Sequence, residues 1–184
     1  MEKINSDPSC IQKFRPVFQS DLYRTTVEVN GKEITGLLLI KTMPDSSIRI
    51  VFSNEFGIKF FDFEFSGRDQ FKIYSIVPQM DKKPVITTLR KDFELLLFKH
   101  TDTGNAYALR NNGEFFHGFP QESGVNYYVT DSACGSLIKM QRASSTKPVV
   151  EAKFFPDKTG SPDSVDISHK NFNFTIALKH IPKK

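Results

Sequence analysis

The side chains with most capacity for chemistry in this chain are four histidines, two cysteines and one pair of carboxylates. His100, His117, His169 and His180 lie far apart, and none sits at metal-ligand spacing from another His, Cys, Asp or Glu. Each reads as a surface or turn histidine, and no metal ligand is assigned. His117 differs from the others because its neighbours Phe116 and Gly118 are apolar, so it is the one candidate for an ionisable group inside the fold. Asp62 and Glu64 are two residues apart and on a strand share one face. Opposite a phenylalanine stripe, that face belongs to the solvent side of a sheet, which argues against an acid–base pair. Cys10 lies in a polar segment and Cys134 in the loop-like Asp-Ser-Ala-Cys-Gly; two cysteines make no scaffold, although they suffice for one bond. There is no Gly-x-Ser-x-Gly elbow, no phosphate-cradling glycine loop and no dinucleotide fingerprint. The chain is therefore read as a non-enzyme with no cofactor and no catalytic residue.

Composition narrows the field further. Phenylalanine occurs 18 times, against 5 Tyr and no Trp. Phe has no polar group to satisfy when buried, so the count implies either a very apolar core or an apolar cavity. The net charge of +4 comes from 25 basic and 21 acidic residues spread along the chain. A nucleic-acid surface would interleave aromatics with Lys or Arg. Around 61–65 and 171–175 the aromatics alternate with acidic and neutral residues instead, which excludes nucleic acid as the expected partner. The longest purely apolar run, Leu37 to Ile40, is far short of a membrane span.

Periodicity supplies the elements that would position these residues. Residues 1–17 are polar with Pro8 and Pro16 and read as an extended leader or tether before a single domain over 18–184. Asn30-Gly31 and Asn112-Gly113 are hairpin turns between alternating strands. Phe61, Phe63 and Phe65 alternate with Asp62 and Glu64, and Ile58 and Phe60 fall on the opposite phase, which predicts a bulge near Phe60-Phe61. From Pro84 to Lys99 the apolar spacing becomes three and four, an amphipathic helix with Asp81 as N-terminal partner. The last strand alternates Phe172, Phe174, Ile176 and Leu178 with polar residues, after a long loop holding Pro156, Gly160 and Pro162. About ten strands and one central helix give a mainly β fold: a curled antiparallel sheet forming an incomplete barrel, covered by the helix.

The stretch from Gly36-Leu-Leu-Leu-Ile-Lys through Arg49-Ile-Val-Phe, Asn54-Glu-Phe-Gly and the Phe-rich strand, followed by the helix and a second group of strands, resembles the LolA/LolB-like lipoprotein carriers. Within that family it resembles small lipoproteins of Bacteroidetes-type bacteria. The resemblance covers about residues 20 to 180 as architecture. It implies an apolar half-barrel that accepts lipid or acylated protein, and a periplasmic, outer-membrane-anchored lipoprotein whose signal segment has been removed. It also implies an exposed apolar loop, for which Phe115 to Phe119 is the nearest match.

The function expected from all this is non-enzymatic binding of acyl chains. The ligand-binding residues expected are Phe61, Phe63 and Phe65 on one strand, Phe93 and Leu97 on the helix, and Phe172, Phe174 and Ile176 on the last strand. Two alternatives stand beside it: a β-sheet interaction module with a filled core, and a calycin-like barrel enzyme built around His117.

Overall fold

Asn30 and Gly31 both take positive φ, as do Asn112 and Gly113, which is the geometry that lets a two-residue turn follow the twist of its strands. Turns of this kind set up a meander on each side of one helix. The structure, a computed structural model, describes residues 1–102, 104–145, 147–156 and 160–184. The strands are β1 (Glu2–Ile4), β2 (Ser20–Val29), β3 (Lys32–Thr42), β4 (Ile48–Ser53), β5 (Lys59–Ser66), β6 (Gln70–Ile76), β7 (Tyr107–Asn111), β8 (Glu114–Pro120), β9 (Val125–Thr130), β10 (Leu137–Ala143), β11 (Pro148–Pro156), β12 (Pro162–His169) and β13 (Phe174–His180). A 3₁₀ helix spans Pro8–Phe14, and the helix α1 spans Lys83–Leu96.

All thirteen strands form a single antiparallel sheet in the order β1-β7-β8-β9-β10-β11-β12-β13-β2-β3-β4-β5-β6. Two meanders, β2 to β6 and β7 to β13, are joined where β13 pairs with β2. Among the described residues nothing pairs β6 with β1, so the sheet is an incomplete barrel. The connection from β6, at one edge, to β7, beside the other, is α1. Its fourteen residues of helix measure about 21 Å.

The core is the concave face. Leu38, Ile40, Ile50, Phe52, Phe61, Phe63 and Phe65 from one meander meet Tyr128, Met140, Val165 and Ile176 from the other, with Leu89, Phe93 and Leu96 of α1 packed on top. Gly36 is required on β3 because a Cβ there would run into Ser53 O and the Phe52 ring. The four-residue apolar run on β3 divides between faces: Leu38 and Ile40 are buried, Leu37 and Leu39 half-buried on the convex side. The bulge expected near Phe60 is present, since Phe52 pairs with Phe61 but Ser53 with Lys59.

Several expectations change. The first seventeen residues are not an extended leader: β1 pairs with β7, and the 3₁₀ helix buries Ile11. The long loop before the last strand contains β12, whose Val165 and Ile167 are buried; its stretch 157–159 lies outside the described residues. The helix ends at Leu96 because Phe98 takes positive φ and turns its ring onto Tyr128, 4.3 Å between centroids. The helix N-cap is Lys82 with no side-chain bond, so Asp81 does not cap it.

Candidate functional site

Alternation on β5 points Phe61, Phe63 and Phe65 into the curl, where they form a continuous aromatic surface. Phe61 stacks on Phe63 at 4.4 Å, and Phe71 of β6 packs on Phe63 and Phe65, both at 5.1 Å. Phe93 of α1 lies over Phe61 and Phe65 at 5.9 and 6.3 Å. Phe174 and Ile176 are buried on the far side of the same core, and Leu97 is buried just past the helix end. Seven of the eight residues expected to bind an apolar ligand therefore share one interior. Phe172 is the exception. It precedes β13, is 43% exposed, and packs its ring on His169 and Phe174.

The helix is fixed to the sheet by polar groups as well as by rings. Tyr128 donates its hydroxyl to Leu95 O at 2.9 Å, and complete burial pushes that phenol well above its usual pKa. Asp92, fully buried on α1, takes Arg142 Nη2 from β10 at 3.2 Å and His169 Nε2 from β12 at 2.8 Å. One carboxylate thus ties the helix to two strands.

Beside α1 opens a cleft of about 830 Å³. One wall is the outer face of α1, with Ile86, Arg90, Lys91 and Glu94; the other is the β8–β9 turn with Gln121, Glu122 and Ser123. Asn126 and Arg142 line its base, and Phe71 lines it where it meets the aromatic surface. Much of its charge is paired internally, Arg90 with Glu94 and Arg68 with Asp102, and His100 Nδ1 lies 3.1 Å from Asp69. Arg142 Nη1 and Asn126 Oδ1 are buried and have no hydrogen-bond partner among the described residues. Neither residue carried a sequence signal. Both sit in strands where a polar residue reads as facing solvent.

His117 is fully buried, its Nε2 3.0 Å from Thr130 Oγ1 and 3.8 Å from Cys10 Sγ. Thr130 Oγ1 donates to Asp131 O, so the imidazole donates to Thr130. Burial holds His117 below its ordinary pKa, against a weaker upward pull from Asp7. Cys10, His117 and Cys134 converge within 4.8 Å, a grouping their sequence spacing did not reveal. The two sulfurs are joined as a disulfide across 124 residues, so the cluster fastens the N-terminal segment to the β9–β10 loop.

Asp62 faces outward as expected but is not in solvent. Burial favours its neutral form, yet Arg49, bidentate at 2.9 and 2.8 Å, and Lys59 at 3.1 Å outweigh that and hold its carboxyl below the usual range. Arg49 also lies 3.8 Å over the Tyr74 ring. The expected exposed loop at Phe115 to Phe119 is strand β8, with Phe116 and Phe119 buried. The exposed apolar tip is instead the β4–β5 turn, where Phe56 is 91% exposed and Ile58 also faces solvent.

An unclosed antiparallel sheet with a helix laid over its concave face defines the LolA-like class of half-barrels. No protein-family model and no curated protein matches the sequence. Solved structures do. A LolA superfamily protein from Nitrosomonas europaea superposes with a TM-score of 0.57 at 8% identity, over 97% of this chain and 93% of that one. A DUF1329 family protein from Desulfovibrio piger gives 0.56 at 8% identity, over 98% and 92%. The protein has the LolA-like fold.

Proposed function

We propose that this protein is a non-enzymatic binder of lipid or of acylated polypeptide, acting in the cell envelope at the periplasmic side of an outer membrane. The observation that carries this reading is the manner of closure. Among the described residues the phenylalanine face of β5 is covered by α1 and not by further strands, so the outward movement of that helix would expose it. Apolar surface of that kind stabilises a buried chain by about 0.8 kcal/mol per methylene. The Cys10–Cys134 disulfide supports an oxidising compartment, since such bonds persist there and are rare in the cytosol. Phe56 and Ile58, exposed at one hairpin tip, suit contact with a bilayer or with a partner that delivers the ligand.

Native mass spectrometry of protein purified gently from its own host, followed by lipid extraction, tests the reading. A stoichiometric acyl-chain species is expected, together with saturable uptake of a fluorescent fatty-acid probe. A clean apo mass with no uptake would overturn it. The second reading, an interaction module with a permanently filled core, would then stand. That reading is supported by the ring-on-ring packing of Phe61, Phe63, Phe65 and Phe93.

A further inference from the structure

Asn126 on β9 and Arg142 on β10 are direct cross-strand partners at the base of the cleft. Asn126 is 3% exposed, and its Oδ1 accepts no hydrogen bond from the described residues. Arg142 gives Nη2 to Asp92, while its buried Nη1 has no acceptor among the described residues. Buried polar groups are almost always paired, so an unmet charged donor beside an unmet acceptor, both bordering one cleft, points to a ligand that completes them. A guanidinium N–H is met best by an anionic oxygen, and an amide oxygen needs a donor next to it. A phosphate carrying a nearby ammonium or hydroxyl offers both at once. Lys91 on the helix wall adds positive charge for the phosphate, and Glu122 on the opposite wall suits an ammonium.

The cleft also borders the aromatic interior, from which the Phe71 ring separates it. Phe71 and Ile86 line it, and Phe71 packs directly on Phe63 and Phe65. We propose that the cleft is the headgroup site for the lipid whose chains lie beneath α1, and that it selects a phosphate headgroup bearing a hydrogen-bond donor, of the ethanolamine or glycerol kind. Arg142 holds the phosphate and Asn126 reads the donor. This rests on the lipid-binding reading given above.

The experiment compares dioctanoyl phosphatidylethanolamine, dioctanoyl phosphatidylcholine and inorganic phosphate by isothermal titration, with the lipids below their micelle concentrations. The choline lipid has the same chains and phosphate but no donor. The ethanolamine lipid is expected to bind about tenfold or more tighter than the choline lipid. Asn126→Leu is expected to erase that preference. It replaces an unpaired buried group by an apolar one of similar shape, so the free protein should melt no lower than wild type. Arg142→Gln is expected to weaken both lipids about tenfold or more, and Lys91→Ala provides a surface variant that weakens both without touching the core. Equal binding of the two lipids, unchanged in Asn126→Leu and Arg142→Gln, would overturn the headgroup site and leave the lipid-binding reading intact. Binding of inorganic phosphate but of neither lipid would overturn it as well, making the cleft a free-anion site. No uptake of either lipid or of the fatty-acid probe would overturn both.

Discussion

Reducing the Cys10–Cys134 bond, or replacing both cysteines by serine, is expected to destabilise the protein by about 5 kcal/mol. The figure follows from the length of chain enclosed. A sequence separation of 124 gives a loop-closure entropy of about 16 cal/mol/K in the unfolded ensemble, or about 5 kcal/mol at 25 °C. For a domain of this size, the midpoint of melting should fall by roughly 10–20 °C. The argument requires the N-terminal segment to belong to the same cooperative unit as the sheet, and the contacts support that. Ile11 is fully buried, Gln12 donates to Thr101, and Arg15 donates to Phe98 O. Urea unfolding followed by circular dichroism, with the double-serine variant beside wild type with and without a phosphine reductant, measures the change. The denaturant slope should vary little while the midpoint falls. A loss below about 1 kcal/mol would refute the reasoning. It would mean that residues 1–15 detach before the sheet unfolds, so that the bond never constrains the global unfolded state.

Two further outcomes follow from buried polar groups. Asp92→Ala leaves the Arg142 guanidinium and His169 without their shared acceptor and should cost about 3–5 kcal/mol by urea titration; it should also speed uptake of the fatty-acid probe if α1 is the moving element, and unchanged stability would show that the carboxylate does not hold the helix. His117 is buried with its pKa held below the ordinary 6.5, so the unfolded chain binds its proton more readily than the folded one. Its contribution to stability is full above pH about 6.5 and is lost as pH falls from there towards the folded value. His117→Gln should remove that part of the slope, read as urea midpoint between pH 5 and 8, and an identical slope in the variant would assign the acid sensitivity elsewhere.

The parts of the fold legible in the sequence are those fixed by local chemistry. The Asn-Gly turns, the Phe61-Phe63-Phe65 alternation and the helical spacing after Pro84 each depend on a few consecutive residues. β12 was not legible because Pro162, Asp163, Ser164, Asp166 and Ser168 read as loop, and only Val165 and Ile167 mark the buried phase. Pairing on both sides, with β11 and β13, makes it a strand despite its composition. β1 has three residues and exists through pairing with β7, over a hundred positions away. On β10 the alternation misleads: a register shift between Leu137 and Lys139 leaves Ile138 facing solvent although it is two residues from buried Met140.

The candidate site was harder to read because its members are joined only by the fold. Asp92 is 50 residues from Arg142 and 77 from His169, with no common motif. The phenylalanine face was visible, but its pattern is the same whether the rings fill a core or line a cavity. Magnitudes decide whether one can become the other. The buried apolar side chains on α1, Leu89, Phe93, Leu95 and Leu96, contribute at about 1.5–3 kcal/mol each, or roughly 6–12 kcal/mol together. Burying the methylenes of a sixteen-carbon acyl chain returns about 12 kcal/mol. The two are comparable, so one long chain can stand in for the contacts that a displaced helix gives up, whereas a six-carbon chain, at about 4 kcal/mol, cannot. Packing of the helix on the rings is therefore compatible with a binding site beneath α1, provided the occupant buries about a dozen methylenes or more, in one long chain or in two shorter ones together. It also explains why the polar ties at Asp92 and Tyr128 matter: when apolar burial is nearly balanced between helix and ligand, a few kcal/mol of hydrogen bonding and ion pairing fixes which of them occupies the mouth of the half-barrel.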